Sequence, residues 1–331
     1  MVATGWAGLA ADEDTVYVAY NTHVIAVNLA NGTERWRFPI EADGNISFYA
    51  SPAITEDGNL IVGGYDNVLY SINTANGQGQ PLFNNAEGRY IGGALVNNDI
   101  IYAPSADHFL YALEMDGSLL WSYETKEPLW AKPSSLPGCD CVYLPAMDHH
   151  VYALDAQTGD LIWQTESLGG AIVGTPTLSE DQQLYVGSFA KEVIALDAED
   201  GNVLWRFPTN DWVWSGPAIS GDTLYFGDLS GTFFALDRQN GTSEWQIQPG
   251  SAIVGKPLVR EDGIYLTTED GTVISVNSEG VIQWSLPFEA NIQAGPIDTG
   301  EQIIVATSNP ETLLISIDPS GVQKWTFALE N

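Results

Sequence analysis

The chain has 331 residues, 44% of them hydrophobic, with 43 acidic and 11 basic side chains and a formal charge of −32. That balance argues against binding nucleic acid or anionic lipid by charge attraction. No apolar run approaches the roughly 18 residues of a membrane-spanning helix.

In chain order the sequence divides into eight units, at about 1–40, 41–84, 85–126, 127–168, 169–210, 211–249, 250–288 and 289–331. The first runs from "WAGLAA" to "ERWRFP", holds all four strand patterns and ends at Trp36. The second reaches "SINTANGQGQPLF", where Pro81 follows Gly77 at the place a Trp holds elsewhere. The third ends at Trp121. The next three carry the pattern Ala-x-Asp-x-x-x-Gly-x-x-x-Trp in full: Ala153, Asp155, Gly159, Trp163; Ala195, Asp197, Gly201, Trp205; and Ala235, Asp237, Gly241, Trp245. Looser copies end the seventh unit at Trp284 and the eighth at Trp325. Successive tryptophans stand 85, 42, 42, 40, 39 and 41 residues apart, so the first gap spans two units.

Within a unit the order is constant. A short segment around a Pro ("VGTPTL") leads to an alternating run with Tyr ("QLYVGS"), then "EVIALD", then the Trp strand "VLWRFP". Runs of four to seven residues rich in Val, Ile, Tyr, Phe and Trp, bounded by Gly, Asn and Asp, are strand and hairpin signals. No stretch keeps a 3.6-residue period. The prediction is an all-β, eight-bladed β-propeller with four antiparallel strands per blade, formed as a single domain. The first and last units both look complete, so the ring is expected to close by apposition, with no strand exchanged. Trp36, Trp121, Trp163, Trp205, Trp245, Trp284 and Trp325 are read as packing between neighbouring blades, where a large apolar area is best buried.

The repeated motif resembles the tryptophan-docking motif of the PQQ-like β-propeller repeat family, and the resemblance covers essentially the whole chain. It implies fold more strongly than function. The family includes quinoprotein alcohol dehydrogenases, which bind pyrroloquinoline quinone and calcium, and non-catalytic members similar to BamB. The uniform units of about 40 residues lack the enzymes' large insertions, and Asp140 separates Cys139 from Cys141 where those enzymes carry a vicinal pair. The resemblance is therefore to the BamB-like members, with no quinone or calcium expected. It implies an extracytoplasmic location, although the N-terminus shows neither a secretory leader nor a lipid-anchored Cys.

One face of such a ring collects the loop before each inner strand and the loop between the second and third strands, and loops carry function. The position before the inner strand reads Trp6, Tyr49, Ile91, Trp130, Val173, Trp214, Val254 and Gln293. With Trp212, Arg89 and Tyr90 nearby, these aromatics form a candidate site for a peptide, a sugar or a planar cofactor. The alternative is that they plug the barrel as packing. His23, His108, His149 and His150 all fall in second-to-third strand turns. His108 and His149, beside Asp107 and Asp148, are candidates for a metal or acid–base pair. They also read as replacements for Gly231 and Gly271 of other units, in turns that require positive φ. On one strand Cys139 and Cys141 would share a face and a bridge would be strained, so they read as structural or free thiols.

Three functions follow. The leading one is a non-catalytic, monomeric scaffold without a catalytic set, binding a protein or peptide partner. The acidity fits a basic partner, or simply solubility and salt tolerance. The second is an enzyme using Asp148 and His149 at the channel mouth. The third is a glycan-binding propeller with Trp130, Trp212 and Trp214 as platforms.

Overall fold

The computed structural model describes residues 7–136 and 139–329. The fifth unit shows how the sequence makes a blade. Thr177–Leu178, Gln183–Ser188, Glu192–Asp197 and Val203–Pro208 pair antiparallel in that order. The second and third strands are buried on both faces, because each is covered by a neighbouring blade. The fourth alternates between exposed and half-buried, as an outer edge should.

The same arrangement recurs in eight sheets, seven of four consecutive strands and one of three. In the fourth blade a single bridge from Ser134 to Tyr143 stands where the inner strand would be. Pairing does not extend beyond it; instead the Ser135 hydroxyl donates to the Cys141 carbonyl at 2.8 Å. Among the described residues no α-helix occurs; one 3-10 turn covers Pro310–Thr312.

The core is divided into eight clusters, each made by the facing sides of two neighbouring blades. One joins the two ends of the chain: Leu9, Val16 and Ile25 of the first blade pack with Ile304, Leu314 and Phe327 of the last. No strand is exchanged among the described residues, so closure rests on this contact.

Every motif tryptophan reaches into the next blade. Its indole N–H donates to a backbone carbonyl there: Trp36 to Thr74 at 2.8 Å, Trp163 to Ala198 at 3.1 Å, Trp205 to Arg238 at 2.9 Å, and Trp325 back to Leu29 at 2.8 Å. Trp121, Trp245 and Trp284 do the same to Ala156, Ser278 and Pro319. The ring lies flat on the next blade's motif glycine. At Gly201, with φ 74°, an added Cβ would stand 2.5 Å from the Trp163 ring. The glycine thus serves twice, for the left-handed turn and for the close approach. In the second blade Leu82 packs on Gly117 in the tryptophan's place.

Cys139 and Cys141 are disulfide-bonded, which corrects the expectation of structural or free thiols. The strand begins only at Cys141, and Cys139 lies in a turn closed by its N–H on the Leu136 carbonyl. The two side chains therefore do not share a strand, and their Cα atoms are 5.2 Å apart, within the usual span of a bridge.

Candidate functional site

The loop between the second and third strands is tied to the loop before the inner strand by a backbone bond in blade after blade. Tyr65 donates to Ser47, Phe189 to Ala171 and Leu229 to Trp212. These bonds bring two aromatic patches to one face. In one, Tyr49 meets Tyr65 edge-on at 4.7 Å, and the Arg89 guanidinium lies 5.4 Å above the Tyr65 ring. In the other, Phe189 stacks on Trp212 at 4.6 Å and 12°, and touches Trp214 at 5.2 Å. Trp212 keeps 42% of its surface exposed.

Asp228, fully buried, holds the loop that carries Trp212. One carboxylate oxygen accepts from the amides of Asn210 and Asp211, at 3.0 and 3.1 Å. The other accepts from the amides of Ser230 and Thr232 and the Ser230 hydroxyl. Such a carboxylate is stabilised by charge-assisted bonds that offset its desolvation.

Inside the ring, residues from all eight blades line an axial cavity of about 260 Å³. Tyr49, Ile91, Trp130, Val173, Trp214 and Gln293 are among them, so the position before the inner strand does face the channel. Val254 is not; Gly255 and Lys256 represent its blade. Trp6 lies outside the described residues. The titratable side chains on the wall are Lys132, Lys256 and Tyr49, with no carboxylate among the lining residues.

Tyr90 departs from the sequence expectation. It is buried to 1% exposure in the core between the second and third blades, against Gly63, so it offers nothing to a ligand on the loop face. Burial raises its phenol well above the ordinary value, and its hydroxyl has no hydrogen-bond partner.

The His–Asp turns are structural in their geometry. His108 and His149 have φ of 80° and 74°, matching Gly231 at 82° and Gly271 at 95°. Asp107 and Asp148 each accept from a tyrosine four residues on, Tyr111 at 2.9 Å and Tyr152 at 2.6 Å, and from backbone amides on both sides. Both tyrosines are pushed up by burial and then by these carboxylates. Among the described residues no three His, Cys, Asp or Glu side chains stand close enough to hold a metal ion.

A PQQ-repeat family model described as outer membrane protein assembly factor BamB matches residues 3–80, 21–195 and 190–331. The chain belongs to this family. No curated protein matches it by sequence. Among solved structures this BamB-type propeller is similar to BamB from Moraxella catarrhalis, with TM-score 0.77 and 18% identity over 91% of this chain and 90% of that one. It is equally similar to the computationally designed Ika8 protein, with TM-score 0.78 and 14% identity over 98% and 97%. At these identities the likeness is one of fold, and a natural and a designed protein share it, so function has to be read from the site.

Four side chains that matter on this BamB-type propeller escaped the sequence reading: Tyr65, Phe189, Lys132 and Lys256. The first two hold the same position in their second-to-third strand turns, and aligning those turns would have shown them. The lysines hold equivalent inner-strand positions, in "WAKP" and "VGKP".

Lys256 stands on the wall of the ring's axial cavity and keeps its side chain exposed to the solvent there. Burial among neutral groups lowers its pKa to about 8 from 10.5, and lowers that of Lys132 as well. The unfolded chain therefore binds the Lys256 proton more tightly than the folded one. The desolvated ammonium weakens the fold fully below about pH 8 and no longer does so above 10.5. Lys256→Met is expected to raise the urea midpoint near pH 7 in chloride buffer, with a gain that shrinks by about pH 10. An equal gain at both pH values would contradict this account.

Proposed function

We propose that this BamB-type propeller is a non-catalytic scaffold that docks a protein or peptide partner on its loop face. The observation that carries the reading is the Phe189, Trp212 and Trp214 stack, with Trp212 42% exposed on a loop anchored by a buried carboxylate. An exposed aromatic held rigid by its neighbours has the character of a binding hot spot. The family's description as an outer membrane assembly factor agrees with a protein partner and an extracytoplasmic setting. The Cys139–Cys141 disulfide agrees with an oxidising compartment. No helix among the described residues is long and apolar enough to cross a membrane.

The reading includes neither quinone nor calcium. Calcium takes about six to eight oxygen ligands, largely carboxylate and carbonyl, whereas the axial wall presents two ammonium groups and no carboxylate. The Cys139–Cys141 pair lines a different pocket, between the fourth and fifth blades, with Ile162, Trp163 and Glu180. A glycan is the second reading, because the exposed surface of Trp212 is also a platform for a sugar ring.

The test is photo-crosslinking in the cell that makes the protein, with p-benzoylphenylalanine replacing Trp212 or, on the opposite end of the ring, Glu199. The expected result is a protein adduct from position 212 and none from 199. A glycosidase-sensitive adduct at 212 favours the sugar reading. An adduct only at 199, or at neither position, removes the loop face as the docking site.

A further inference from the structure

The distribution of positive charge singles out the axial cavity. Arg35, Arg37, Lys191, Arg206, Arg238, Arg260 and Lys324 each pair with a carboxylate. Among the described residues, Arg89, Lys126, Lys132 and Lys256 have no such ion pair. Two of these four stand on one rung of the cavity, three blades apart in a ring of eight. In a chain of 43 acidic residues, none of those described lines that cavity.

The rung is built to admit them. The residues at the equivalent position on either side are small: Gly93 and Thr175 flank Lys132, and Gly216 and Gly295 flank Lys256. A Cβ on Gly93 would come 3.7 Å from the Lys132 side chain. With no side chain at Gly216, Lys256 reaches past the sixth blade to the fifth, where its Nζ donates to Thr177 Oγ1 at 2.8 Å. Thr177 in turn donates to the Pro217 carbonyl at 2.5 Å, which leaves its oxygen as an acceptor and fixes the ammonium. An ammonium has three N–H donors, so two on Lys256 remain unused. Lys132 has no hydrogen-bond or ion-pair partner among the described residues. Ser215, 8% exposed and on the same wall, has a hydroxyl without a partner.

Cations gathered without a counter-ion, and a buried hydroxyl without an acceptor, are costly unless something completes them. Two uncompensated ammoniums and an orphan hydroxyl in one cavity call for an anionic acceptor. The volume, about 260 Å³, lies below the roughly 300–1,000 Å³ of sites for drug-sized ligands, so the acceptor is small. We propose that the axial cavity binds a small oxyanion, a carboxylate- or phosphate-bearing molecule, through Lys132 and Lys256. This inference is independent of the partner proposed for the loop face.

The test measures binding of sodium phosphate and of sodium succinate to the whole protein by isothermal calorimetry and thermal shift, against sodium chloride at matched ionic strength. The expected result is a saturable stabilisation by at least one probe. Binding should weaken about tenfold or more in Lys132→Gln and in Lys256→Gln, each about the worth of one charge-assisted contact. Lys126→Gln, which removes an exposed lysine outside the cavity, should bind as the wild type does. A response to succinate alone identifies a carboxylate ligand, and a response to phosphate alone a phosphate-bearing one. Folding of the variants is checked by their tryptophan fluorescence. No saturable effect from either probe, or an effect undiminished in both cavity variants, would overturn the proposal.

Discussion

Trp325→Ala is expected to cost about 3–5 kcal/mol, the usual range for truncating a packed aromatic. Its indole N–H donates to the Leu29 carbonyl at 2.8 Å and to Gln302 Oε1 at 3.0 Å, and its ring covers Gly32. The residue closes the ring at the one boundary that no connecting loop crosses. At every other boundary the chain itself keeps the blades together after the tryptophan is gone. Trp205→Ala should therefore lower the urea midpoint comparably and leave the rest of the ring assembled. Trp325→Ala should in addition expose Thr15–Tyr20 and Leu314–Ile317 to hydrogen exchange, because local opening is cheapest where few contacts hold. Trp325→Phe keeps the stack, loses both donated bonds, and should cost only about 1–2 kcal/mol. Equal exchange in the two alanine variants would show that closure is no weaker than the other boundaries.

Asp228→Ala is expected to lose about 3–5 kcal/mol, since it leaves a cluster of buried donors without an acceptor. The amides of Asn210, Asp211, Ser230 and Thr232 and the Ser230 hydroxyl all turn toward this carboxylate. Asp228→Asn is not conservative here. Its NH₂ would face amide donors on whichever side it turned, so it should recover less than half of the loss. Asp228→Ser should recover more on the Ser230 side, because Ser188 at the equivalent place accepts from the Ala190 amide in the same way. Urea unfolding ranks the three. The loss should also reach the loop face, because Asn210 and Asp211 lead directly into Trp212, and crosslinking from position 212 should fall in the alanine variant. A loss below about 1 kcal/mol in Asp228→Ala would mean that water replaces the carboxylate without penalty.

The blade pattern was legible because it is local. The Asp of each full motif accepts an amide of its own turn, as Asp197 does from Glu199 at 2.8 Å. The Gly four residues on takes the left-handed φ, and the Trp follows four later. Where the pattern failed, at Pro81, the structure shows the consequence at the predicted place, with Leu82 on Gly117. The candidate site was legible only in part. Tyr49 and Tyr90 both precede inner strands, yet Tyr90 enters the core because Gly63 of the previous blade leaves it room. Phe189 and Trp212 are 23 residues apart and stack because the fifth and sixth blades meet there. Cys139 and Cys141 bond because the chain turns before its strand begins.

By itself the sequence determined the number of blades, the order of strands within each and the seven tryptophans that bind one blade to the next. These rest on contacts within one unit, or between one unit and its neighbour, and a repeated period of about 40 residues encodes them directly. Only the tertiary structure decided which aromatics are buried and which remain on the loop face. It alone brought Lys132 and Lys256 onto one rung of a cavity free of carboxylates. Those outcomes depend on the closing of all eight units into a ring, which sets the distance between side chains of different units.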